Sequence, residues 1–222
     1  MAAFFLPMTR TVPHSVPASS RRPTCAACLR PTASCICGWI CSVPNRVELL
    51  ILQHPLEVAN AKGTARLLHL CLPHSTLVVG ESFDAATLRP LLAGKHNVLL
   101  YPDHDSDQAA GLPAPPACDP AWLTQTDRLR LVVLDGTWRK SRKMLYLNPL
   151  LQQLPRLPLR DTPPSHYAIR KAHRPDQLST LEASCYALMQ LEPDGARFGA
   201  LIGALDGLVG QQLSYLKELP SA

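Results

Sequence analysis

At 222 residues, with 46% hydrophobic content and a net charge of +5, the chain is long enough for one α/β-sized domain with a small appendage. The basic balance fits a polyanionic partner. The most apolar segment, "FGALIGALDGLVG", is broken by Asp206 and four glycines, so no run of about 18 apolar residues exists to span a bilayer.

The opening "MAAFFLPMTR" lacks a basic n-region and a small-residue cleavage site, so no secretory signal is read and a cytoplasmic location is expected. Residues 1–23 are rich in Pro, Ser, Thr and Arg and bury too little to offset their ordering entropy, which predicts a disordered Pro-rich tail. Five of the eight cysteines then fall between positions 25 and 41, and residues 24–44 read as a separate small module. The spacing "CAACLRPTASCIC" places Cys25 and Cys28 as one close pair and Cys35 and Cys37 as another, the pattern of a structural zinc site in which Pro31 suits the intervening turn. Cys41 competes with Cys37 for the fourth position, and disulfides would need an oxidising compartment. Cys71, Cys118 and Cys185 read as single core thiols.

From residue 45 onward, apolar runs rich in β-branched residues alternate with helical patterns. Strands are expected at 47–53, 76–80, 97–102 and 129–135, with helices at 60–71 and 84–93, which argues for βαβ units and a mainly parallel sheet with helices on both faces. A basic helix follows Asp135 and must bend or stop near Pro149. Further helices fit 179–191 and about 197–218, the latter with Gly199, Gly203 and Gly207 on one face for close packing.

Ligands of open parallel sheets bind beyond the carboxyl ends of the strands. Three stretches fall there: "QHPLEVANAKGTARLL", with His54, Glu57, Lys62, Thr64 and Arg66; "LLYPDHDSD", opened by Tyr101 and Pro102; and "LDGTW", residues 134–138. None is a dinucleotide or phosphate-loop motif. Asp135 could be a helix N-cap or a site carboxylate. Trp138 could be core, or could stack a base beside Arg139, Lys140, Arg142 and Lys143. Arg170, Lys171, His173 and Arg174 form a second basic cluster, and "STLEA" reads as a capping box with Ser179 at the cap and Glu182 three residues on.

The cysteine module, "HPLE" at 54–57 with "TARLL" at 64–68, "LDGTW" at 134–138 and "LSTLEA" at 178–183 together resemble the DTW-domain family of tRNA-uridine aminocarboxypropyltransferases, in the family's order. Gly63 and Ser141 depart from that pattern. The resemblance implies a SPOUT-like catalytic domain over 45–222 with a C-terminal trefoil knot, where general rules alone predict an unknotted doubly wound sheet. It also implies S-adenosyl-L-methionine as donor and tRNA as partner. The implied product is 3-(3-amino-3-carboxypropyl)uridine in the variable loop, with methylthioadenosine released.

Asp135 and Trp138 are the candidate catalytic residues under this resemblance, Asp135 as general base or as a positioning group for uracil N3. The donor is expected against Tyr101, Pro102, Leu134, Gly136, Thr137, Ser179, Thr180, Glu182 and Ala183. Phosphate contacts are expected from Lys62, Arg66, Arg139, Lys140, Arg142, Lys143, Arg170, Lys171 and Arg174. A SPOUT-like RNA methyltransferase and a zinc-stabilised RNA-binding protein without catalysis remain open. No obligate protein partner or membrane association is read, and the oligomeric state is left open.

Overall fold

The four expected strands pair in parallel in one sheet, in the order Ser75–Val79, Glu48–Gln53, Leu129–Asp135, His96–Leu99. The computed structural model describes residues 23–103, 111–167 and 178–217. Strands β1 (Glu48–Gln53), β2 (Ser75–Val79), β3 (His96–Leu99) and β4 (Leu129–Asp135) match the apolar runs closely. Residues 1–22 of the expected Pro-rich tail, and Arg170, Lys171 and Arg174, lie outside the described residues.

Period-two alternation divides the core. Leu49, Ile51, Leu131 and Val133 face one cluster with helices α1 (Ala65–Cys71), α6 (Thr180–Leu191) and α7 (Gly199–Lys217). Leu50, Leu52, Val132 and Leu134 face the other, with Leu88 of α2 (Ala85–Leu92), Met144 and Leu145 of α4 (Trp138–Leu147), and Leu151 of α5 (Pro149–Gln152). Both faces of β1 and β4 are therefore covered, which is why these strands read as continuous apolar runs. A short helix, α3 (Pro120–Leu123), precedes β4. Register between β1 and β4 is fixed at its polar edge by Glu48 and its partner Arg130, whose Nε and Nη2 donate to the two carboxylate oxygens at 3.0 and 3.2 Å. Among the described residues no helix is long and apolar enough to cross a membrane.

Several expectations are corrected. The helix expected over 60–71 starts only at Ala65, because Asn60 builds a turn instead: its Oδ1 accepts from the Lys62 amide at 3.0 Å and its carbonyl from the Gly63 amide at 2.8 Å. The basic helix does stop near Pro149 as expected: it ends at Leu147, and Pro149 begins α5, as its ring requires. Of the three glycines expected to share one face of α7, only Gly207 makes a close approach: a Cβ there would collide with the Trp39 ring, whereas Gly203 meets nothing within 4 Å.

Trp39 belongs to the cysteine module, and its Nε1 donates to Gln211 of α7 at 2.6 Å while Gln211 donates to the Cys35 carbonyl at 2.9 Å. Cys28 and Ile36 of the module join the same apolar cluster as α1, α6 and α7. Cys118 is half-buried rather than core, and Cys71 is not single, since its sulfur lies 3.8 Å from that of Cys41. Burial pushes the Cys71 thiol up to about 12.

Candidate active site and metal centre

The chain leaves β1 toward β2 on one side, while β4 and β3 lie on the other, so the sheet's switch point falls between β1 and β4. Gln53 and Asp135 are register partners at that point. Asp135 is 5% exposed, and its carboxylate is held from two sides: Gln53 Nε2 donates to Oδ2 at 2.9 Å, and Thr180 Oγ1 donates to Oδ1 at 2.6 Å. Asp135 does not cap the next helix. That task falls to Thr137, whose Oγ1 accepts from the Lys140 amide at 3.4 Å, leaving the Asp135 side chain committed to the crevice. Gly136 between them is tight, because a Cβ would come within 3.1 Å of Lys140 Cβ.

Three quoted motifs meet here. Thr64 Oγ1 accepts from the Leu181 amide at 3.2 Å, tying the loop after β1 to the first turn of α6. Ser179 and Glu182 form the expected capping box, with Glu182 also accepting from the His166 amide at 2.6 Å and from Ser165 Oγ at 3.0 Å. A cavity of about 140 Å³ is lined by Glu57, Asn60, Lys62, Gly63, Thr64, Asp135, Gly136, Thr137, Tyr167, Ser179 and Thr180. A second, of about 100 Å³, shares Gly136, Ser179 and Thr180 with it and adds Leu100, Tyr101, Val133, Leu134, Trp138, Ser141, Leu178 and Ala183. By residue type the first lining is mostly polar and the second mostly aliphatic and aromatic, and the Asp135–Gly136 turn stands between them.

Most residues expected at the donor therefore converge on these two chambers. Pro102 and Glu182 are not among their described lining residues: the Pro102 carbonyl accepts from Arg156 at 3.1 Å, and the Glu182 carboxylate is turned to the 165–167 segment with 0% exposure. Trp138 is not core. It is 50% exposed at the mouth, with its edge against Tyr101 (centroids 5.9 Å apart, planes at 77°). The largest described cavity, about 880 Å³, lies at the opposite end, where Arg46 and Thr126–Arg128 lead into β1 and β4, away from the strand-end groups.

The expected basic residues divide by environment. Lys140 Nζ lies 2.7 Å from Glu57, a buried carboxylate that also accepts from Asn60. Lys143 Nζ lies 2.9 Å from Glu81, whose other oxygen faces His54 Nε2 at 2.9 Å; these bonds, Lys143 first, hold the Glu81 carboxyl below its usual range. Arg66 donates to the Ala27 carbonyl at 2.7 Å and so joins α1 to the cysteine module. Arg139, Arg142 and Lys62 are exposed. Sequence reasoning passed over Gln53, Tyr167 and Asn60. Tyr167, whose hydroxyl bonds the Lys62 carbonyl, is buried at the polar chamber, and no local spacing marks it.

The sulfurs of Cys25, Cys28, Cys35 and Cys37 all lie within 4.8 Å of one another, with Cys25–Cys37 at 3.6 Å and Cys28–Cys35 at 3.7 Å. Four thiolates tetrahedral about a zinc ion would be about 3.8 Å apart. The geometry fits a metal and is far too open for disulfides. Backbone amides of Cys28 and Ala27 point at Cys25 and lower its thiol to about 6, whereas hydrogen bonding among the crowded sulfurs, Cys35 first, raises Cys37 to about 12. Four thiols this close ionise together only around a cation. Cys41 stands apart with Cys71, so Cys37 completes the set.

Comparison with known proteins identifies the family. The model of the DTW domain matches residues 22–213. Curated relatives include tRNA-uridine aminocarboxypropyltransferase 2 of Mus musculus, 28% identical over 89% of this chain and 66% of that protein, and of Drosophila melanogaster, 31% identical over 79% of this chain and 70% of that protein. tRNA-uridine aminocarboxypropyltransferase A of Arabidopsis thaliana is 26% identical over 91% of this chain and 85% of that protein. The chain thus spans 66% of the length of the mouse relative. No solved structure matches it. With the domain model covering the cysteine cluster, both chambers and most of α7, the chain belongs to the DTW family.

Proposed function

We propose that the chain transfers the 3-amino-3-carboxypropyl group of S-adenosyl-L-methionine to N3 of a uridine in the tRNA variable loop, giving the aminocarboxypropyluridine and methylthioadenosine. The observation that carries this reading is the convergence of Thr64, Asp135, Ser179 and Thr180 on paired polar and apolar chambers at the sheet's switch point. The names of the relatives supply the substrate class.

The chambers fit such a donor by their chemistry: Leu100, Val133, Leu134 and Ala183 offer an apolar slot for a purine, while Lys62, Asn60 and Thr64 border a polar space for an amino acid moiety. Bound there, the donor's sulfonium supplies an activated carbon. The task left to the protein is to present uracil N3 in line with the γ-carbon rather than the methyl. As the N3–carbon bond forms, the carbon–sulfur bond breaks and N3 gives up its proton. Asp135 is the acceptor for that proton or the group that orients it, its carboxylate aimed by Gln53 and Thr180. Trp138, exposed at the mouth beside Tyr101, stacks on the uracil.

The four-cysteine cluster holds a structural zinc ion that folds residues 24–44 onto the 45–222 catalytic domain. A SPOUT-like C-terminal trefoil knot is the topology that the family resemblance implies for this domain, and the described contacts beside it are the Leu99–Arg156 bridge and the Tyr167 bond to the Lys62 carbonyl. Exposed Arg139 and Arg142, with Lys62, Lys143 and the 170–174 cluster, contact tRNA phosphates in the cytoplasm.

The test is incubation with tRNA and donor labelled on either the carboxyl or the methyl carbon. Carboxyl label entering RNA with methylthioadenosine release is expected; methyl label entering RNA would instead make the chain a methyltransferase.

A further inference from the structure

Helix α4 carries a surface stripe that begins at Trp138 and runs on to Tyr146, a residue to which the strand-end chemistry gives no role. Trp138, Arg142 and Tyr146 follow at i, i+4 and i+8 on a single face, flanked by Arg139 and Lys143. Trp138 is 50% and Tyr146 60% exposed, unusual for large aromatic side chains set among charges. With Leu112 these residues line an open groove of about 470 Å³, and Trp138 is also a wall of the apolar chamber, so groove and chamber meet at one indole.

We propose that this groove is a docking track for the unpaired RNA nucleotides that flank the target uridine, with Tyr146 as a second stacking platform; the inference rests on the tRNA reading of the same site. Alternating aromatic faces and cations is the arrangement that binds single strands, the rings taking bases and the cations the phosphates between them. Spacing sets the scale. Eight residues of helix separate the two aromatics by about 12 Å, more than three times the 3.4 Å rise of one stacked nucleotide. Trp138 and Tyr146 therefore engage different bases of an opened strand. A paired helix would present phosphates to Arg139, Arg142 and Lys143 but no base face to Tyr146. The groove thus selects for loop over stem, and it does so outside the chambers that hold the reacting groups.

The experiment measures binding of a fluorescein-labelled RNA hairpin with an unpaired uridine-containing loop, and of the same strand annealed to its complement, across a salt series. Tyr146→Ala should weaken hairpin binding by about 5- to 150-fold, the range that loss of one base–aromatic stack produces. It should leave duplex binding and the salt slope unchanged, because no charge is removed. Tyr146→Phe should bind the hairpin as the wild type does, and Tyr146→Leu as weakly as the Ala variant. Arg139→Gln should lower the salt slope for both RNAs by about one ion. Hairpin affinity unchanged in Tyr146→Ala, or lost equally for the duplex, would overturn the proposal. Binding is read without donor, so a chain that fails to transfer the aminocarboxypropyl group would still test the groove. Transfer with an indifferent Tyr146 would remove the groove alone.

Discussion

Gln53 and Asp135 end adjacent parallel strands in register, and the amide of the first donates to the carboxylate of the second at 2.9 Å. With Thr180 on the other oxygen, the carboxylate is aimed rather than free. Gln53→Leu and Thr180→Val each remove one hydrogen bond to a charged group, worth about 1.5 to 3 kcal/mol. Each should slow transfer by about 10- to 150-fold while tRNA affinity stays at the wild-type value. Single-turnover rates beside a binding measurement check this, and unchanged rates would mean that the orientation of Asp135 does not matter.

Glu182 offers a contrast, since its fully buried carboxylate accepts from Ser179, His166 and Ser165. Its substitution should act on stability. Glu182→Ala strands buried amides and loses half of the capping box, costing about 2 to 4 kcal/mol in denaturant unfolding. Glu182→Gln, which places an NH2 against donors, should also be destabilising. Donor affinity lost at wild-type stability would instead put Glu182 at the donor.

The cysteine geometry separates two neighbouring sulfurs. Purified protein should carry one zinc ion per chain, Cys37→Ser should lose it, and Cys41→Ser should retain it, because Cys41 faces Cys71 and not the cluster. Elemental analysis of the three proteins checks this. Metal loss should also lower the melting temperature, as Cys28, Ile36 and Trp39 pack on the main body.

β1 and β4 were legible because burial on both faces leaves uninterrupted apolar runs, the edge strand β2 only from its β-branched residues, and α6 because a capping box announces its start. Asp135 was ambiguous from its neighbours alone: "LDGTW" suits a cap as well as a site, and only the Thr137 bond to Lys140 assigns the cap elsewhere. Gln53 and Tyr167 were invisible, since their roles come from contacts across 82 and 105 residues. Lys140 and Arg66 stand out in the sequence by charge alone, and their partners, Glu57 and the Ala27 carbonyl, were not legible because they arrive from distant segments.

His69 provides a pH test. Burial, with Arg66 nearby, lowers its folded pKa below the ordinary 6.5. The unfolded chain therefore binds more protons in the window below 6.5, so this group's effect is to make stability rise with pH and fall on acidification. The melting temperature should drop between about pH 7.5 and 5.5, and His69→Gln should flatten that drop. Equal slopes for the two proteins would exclude His69 as its source.

The central claim is group transfer to a uridine, and mass analysis of tRNA nucleosides after reaction with S-adenosyl-L-methionine tests it most directly. The account predicts an aminocarboxypropyl-modified uridine with wild-type protein and little or none with Asp135→Asn. Unmodified or methylated uridine with the wild type would contradict it, and full activity of the Asn variant would remove Asp135 from the chemistry.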